Sequence, residues 1–100
     1  MQVKIIPNSA GAPAGKLADA ELHFTDGPLA GLKLVGFSVW ERRTGPGRAV
    51  SLPARHYSVN GERRTFVLLR PTGDTATTDL IRDQVLRAYA EQEEQVSATG

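Results

Sequence analysis

Leu32-Lys33-Leu34-Val35-Gly36-Phe37-Ser38-Val39-Trp40 is the stretch on which the fold turns. It is almost wholly apolar, rich in β-branched and aromatic residues, and too short for a buried helix. As a strand it puts Val35, Phe37 and Val39 on one face and Leu34, Gly36, Ser38 and Trp40 on the other. A strand apolar on both faces belongs in the middle of a sheet. Downstream, Thr44-Gly45-Pro46-Gly47 is turn chemistry, so residues 32–43 and 48–52 form a hairpin. Upstream, Asp26-Gly27-Pro28 and Gly31 reverse the chain. Before them, Ala18, Ala20, Leu22 and Phe24 alternate with Asp19, Glu21 and His23, the period of a half-buried strand.

The rest of the chain extends this sheet. Residues 3–6 read as a first strand that ends at Pro7, followed by a loop through Gly15. Asn60-Gly61 is a favoured hairpin pair and leads into a last strand at residues 65–69, which stops at Pro71. After Thr72-Gly73-Asp74 the period changes to that of a helix. Leu80, Ile81, Val85, Ala88 and Tyr89 are its expected apolar stripe, Leu86 lies off it, and Thr77 or Thr78 is the expected cap. The expected fold is α+β: a single antiparallel sheet of about five strands closed by one C-terminal helix. One domain spans residues 1–94, and residues 95–100 read as a disordered tail.

Composition narrows the function classes. The chain has 100 residues, 40% of them hydrophobic and 23% charged, as a globular domain does. It has no cysteine, hence neither disulfide nor thiolate zinc site, which suits a reducing cytoplasm. The opening residues are too short an apolar run for a signal peptide, and no segment approaches the ~20 apolar residues of a membrane helix. The net charge of +1 hides an asymmetry. Residues 42–70 carry seven arginines against Glu62 alone, while residues 71–100 carry six acids against two arginines.

Motifs for catalysis or cofactors are not found. The turn Gly27-Pro28-Leu29-Ala30-Gly31-Leu32-Lys33 fails as a phosphate loop on its glycine spacing and on the place of its lysine. His23 and His56 have neither the spacing nor the neighbours of metal ligands. Ser38, Ser51 and Ser58 lack a nucleophile elbow. Asp19 and Glu21 share a face and could do acid–base work, but solubilising charge on a strand is the commoner role. No catalytic residue, metal or cofactor is therefore expected, and no small-molecule substrate.

The arginines are the informative feature. Arg42 and Arg43 end one strand, Arg48 opens the next, Arg55 follows Pro53, and Arg63 and Arg64 open the last. In a single sheet these strand ends gather toward one rim. Guanidinium groups bind phosphate bidentately and stay charged at physiological pH, so such a rim is a footprint for nucleic acid. It is equally a charged edge that prevents edge-to-edge pairing. A module that binds an acidic protein partner is the alternative function.

The order of features from residue 17 to residue 92 resembles the SpoVG family, small bacterial proteins of sporulation and septation. Leu52-Pro53-Ala54-Arg55-His56 is similar to that family's apolar-proline-small-basic-basic segment. Asn60-Gly61-Glu62-Arg63-Arg64 is similar to its acidic-glycine-glutamate turn with a basic residue following. The strand ending at Arg70-Pro71 and the helix carrying Ala88-Tyr89 match in order and spacing. The resemblance implies a homodimeric, cytoplasmic, non-enzymatic regulator that binds DNA or RNA. It carries a nucleic-acid-binding role to Arg55, His56, Arg63 and Arg64; Arg42, Arg43 and Arg48 join them on charge clustering alone.

Overall fold

In the computed structural model, which describes residues 1–8, 13–42, 44, 45 and 47–99, and side chains through residue 95, six strands precede one helix. They are β1 (Gln2–Pro7), β2 (Lys16–His23), β3 (Lys33–Glu41), β4 (Arg48–Ser51), β5 (Ala54–Val59), β6 (Glu62–Val67) and α1 (Ala76–Thr99). The class is α+β, with all strand pairs antiparallel. The sheet does not stay single, however. β1-β2-β3-β4 form one meander, and β5 and β6 form a separate two-stranded ribbon.

Leu52-Pro53 makes the break. Proline has no N–H to donate to the ladder, so pairing with β3 stops at Ser51 and the chain leaves the sheet. Pro53 is itself buried, and its carbonyl accepts a bond from the Leu68 N–H at 2.9 Å, which closes the base of the β5–β6 hairpin. The hairpin tip is Asn60 (φ 51°) and Gly61 (φ 81°), the positive pair that a tight right-twisted hairpin requires.

The core lies on one face of the four-stranded sheet, under α1. Ala18, Ala20 and Leu22 of β2, Phe37 and Val39 of β3 and Val85 of α1 are fully buried in one cluster. The alternation of β2 thus forms as expected. On β3 the strict alternation breaks. Ala20 pairs with Phe37 but Leu22 pairs with Leu34, so β3 carries an extra residue between them. The bulge sits at Val35-Gly36, where Gly36 has φ 109°. It returns Leu34 to the core face beside Leu22 and turns Val35 out to 52% exposure, reversing the faces that simple alternation assigns.

The helix also differs in phase and ends. Asp79 N–H bonds the Thr75 carbonyl at 2.9 Å, and the Asp74 carboxylate accepts from the Ala76 N–H at 3.0 Å. Thr75 is therefore the cap, not Thr77 or Thr78. Thr78 is buried and satisfies its hydroxyl on the Thr75 carbonyl at 2.9 Å. Leu80 is 55% exposed, whereas Leu86 packs against the core cluster. The helix runs to Thr99, past Glu94 where the sequence reading ends the domain. No helix among the described residues is long and apolar enough to cross a membrane.

Candidate functional site

The two sheets distribute the arginines over two regions instead of one rim. Arg48, on β4, faces the helix: its Nη2 donates to Glu93 Oε2 at 2.7 Å, and its guanidinium lies 5.0 Å from the Tyr89 ring centroid. That arginine fastens β4 to α1. Arg42 is exposed just beyond β3 and lines a groove with Arg48, Asp79, Arg82 and Asp83. Acidic helix side chains temper the field there. Arg43 lies outside the described residues.

Arg55, His56, Arg63 and Arg64 all stand on the β5–β6 ribbon, but on opposite faces of it. The register pairs Arg55 with Phe66, Tyr57 with Arg64 and Val59 with Glu62 on one face. On the other it pairs Ala54 with Val67, His56 with Thr65 and Ser58 with Arg63. Sequence neighbours on a strand point apart, so neither Arg55 and His56 nor Arg63 and Arg64 act as a pair on one surface. Every residue of β6, and all of β5 but Ala54, is exposed.

The first ribbon face carries residues that charge alone does not reveal. Tyr57 is 40% exposed and Phe66 is 47% exposed, each directly across from an arginine. Arg70 stacks its guanidinium 4.1 Å from the Phe66 centroid while its Nε donates to the Val67 carbonyl at 2.7 Å. The signal was present in the sequence as two interleaved triplets, Arg55-His56-Tyr57 and Arg64-Thr65-Phe66. In a period of two, both triplets place a guanidinium and a ring on the same side. Glu62 is the face's only acid among the described residues of the ribbon and approaches Arg64 at 3.3 Å. Both groups of that pair are open to water, so it contributes little.

The second ribbon face looks across a cleft toward the outer face of the first sheet, lined by Lys16, Ser38, Trp40, Ser51, His56 and Thr65 among others. Its polar side chains are already engaged. Lys16 pairs with Asp19 at 2.7 Å, Ser38 donates to Asp19, Trp40 Nε1 donates to Ser51 Oγ at 2.9 Å, and His56 Nδ1 meets Thr65 Oγ1 at 3.2 Å. Asp19 and Glu21 are likewise held in local pairs. Among the described residues no group of three or more His, Cys, Asp or Glu is placed to hold a metal ion.

Glu21 shows what these pairs do. Its carboxylate accepts from His23 Nε2 at 3.0 Å and lies 3.4 Å from Lys33 Nζ. The His23 hydrogen bond, with the Lys33 charge, holds the carboxyl below the ordinary glutamate range against a smaller opposing effect of burial. A lowered native pKa means stability present above the unfolded value of about 4.3 and lost as pH falls through the native value. Glu21→Gln should therefore melt below the parent at neutral pH, with the gap closing in acid. Melting curves across that range check it; a gap independent of pH would refute the assignment.

The chain matches no protein-family model, and no curated protein or solved structure aligns with it significantly.

Proposed function

We propose that this chain is a non-enzymatic, cytoplasmic regulatory protein of the SpoVG type that binds nucleic acid through the phosphate backbone and works as a homodimer. The observation that carries the reading is the ribbon itself. Between residues 54 and 70, Arg55, Arg63, Arg64 and Arg70 face Glu62 as the single acid. Arg55, Arg63 and Arg64 are exposed on a hairpin whose two strands pair only with each other among the described residues. A cationic arm of this kind reaches phosphates that a flat surface does not. Leu29, Leu32 and Val35, exposed at the turn and start of β3, support the dimer reading with apolar area apart from the ribbon.

Salt titration tests the reading. If Arg55, Arg63 and Arg64 of two protomers neutralise about 4–6 phosphates, duplex binding should fall with salt at a log–log slope near −4 to −5. Arg63→Ala with Arg64→Ala should flatten that slope and weaken all sequences by similar factors, because backbone contacts carry no base information. Thermal unfolding should barely change, as exposed arginines typically contribute within about 0.5 kcal/mol. A folded double variant with the parent's affinity and slope would remove both arginines, one on each face of the ribbon, from the phosphate contacts. A parent that binds no nucleic acid at low salt would sink the reading and favour an acidic protein partner.

A further inference from the structure

We infer that the Arg55–Tyr57–Arg64–Phe66 face of the ribbon binds single-stranded nucleic acid, with bases stacked on Tyr57 and on the Phe66–Arg70 pair. The inference rests on the proposed nucleic-acid reading and names the form of ligand that this face takes.

Rings are what a backbone-only binder does not need. Tyr57 and Phe66 stand on opposite strands of a ribbon whose residues are nearly all exposed, so neither ring serves the core. They lie diagonally across the ladder, at about 7–8 Å by ordinary sheet geometry. Their cross-strand partners, Arg64 and Arg55, complete a chequerboard of two rings and two guanidinium groups. Leu68 joins Arg55, Tyr57 and Phe66 around a shallow depression. Arg70 lies over one side of the Phe66 ring at 4.1 Å and adds its guanidinium to that ring's stacking site. Splayed bases stack on aromatic rings and on guanidinium planes, while flanking arginines take the phosphates between them. A duplex offers this face only phosphates, because its bases are already stacked on one another.

The same face suits a second copy poorly. A two-fold pairing would set Arg55, Arg64 and Arg70 against their own mates, with Glu62 as the only compensating acid on the ribbon. Like charges brought together in that way oppose association.

Strand preference makes the idea testable, because charge alone predicts the reverse: a duplex presents the denser line of phosphates. Labelled oligothymidylate and oligouridylate of about 12 nucleotides, and a duplex of equal length, would be titrated by anisotropy at low salt. The parent should bind the single strands more tightly. Tyr57→Leu with Phe66→Leu keeps the apolar area but removes the rings, and should lower single-strand affinity about 10- to 100-fold. Duplex affinity and the salt slope should hold. Tyr57→Phe and Phe66→Trp should retain binding. Circular dichroism would confirm folding, and each single leucine variant serves should the double variant unfold. Unchanged single-strand affinity in a folded leucine variant would overturn stacking while leaving the arginine reading intact. A dimer that becomes a monomer in that variant would make the face a self-association surface and overturn the inference. A parent binding nothing at low salt would remove the inference and the reading together.

Discussion

Phe37→Ala should lower the unfolding free energy by about 3–5 kcal/mol, the range for deleting a fully buried phenylalanine. Phe37 is 0% exposed and is the largest of the fully buried side chains. Its neighbours in the core include Ala18 and Ala20, which are too small to move into the vacated space. The cavity therefore persists, and the loss includes both the transfer of the ring and the contacts stranded around it. Domains of this size are stable by only about 5–15 kcal/mol, so the variant should lose a large share of its stability and melt well below the parent. Urea denaturation followed by circular dichroism measures the change. Phe37→Leu should recover much of it. A loss below about 1 kcal/mol would show that the core is not centred on this ring.

Gly36→Ala should cost about 2 kcal/mol or more, although it adds a single methyl group. Two effects combine. Gly36 holds φ 109°, in the region where a side chain strains the backbone. A Cβ there would also sit 3.2 Å from the Pro53 Cβ, tighter than ordinary contact. Pro53 is where the chain leaves the first sheet, so relief of the clash would shift the base of the ribbon. On the proposed nucleic-acid reading, affinity should fall with stability, unlike in the exposed arginine variants, which should lose affinity alone. A melting temperature equal to the parent's would mean that the bulge relaxes without strain.

The ribbon's isolation bears on how these variants are read. A two-stranded hairpin is marginal by itself in water. Here its flanking residues Leu52 and Leu69 pack against the core cluster, and Pro53 at its base lies close over Gly36. Core variants therefore act on the proposed binding surface through its base, and arginine or aromatic variants act on it directly.

Local pattern by itself determined the elements and the class. The alternation of residues 17–24, the apolar run at 32–40, the Asn60-Gly61 turn and the change of period after Asp74 each rest on residues close together along the chain, and each formed. The exposed side of α1 was also legible but was misread. At about 100° per residue Leu80 lies roughly 140° from Val85, off any stripe centred there. Only the tertiary structure decided the bulge at Gly36, because the contact with Pro53 joins residues distant in sequence. That contact also marks the division into two sheets, and the division splits the arginines: Arg48 is drawn to Glu93 and Tyr89, and Arg55 and Arg64 are set beside Tyr57 and Phe66. Charge can be counted along a chain, but which charges share a surface depends on strand register and sheet membership, and packing between distant residues sets both.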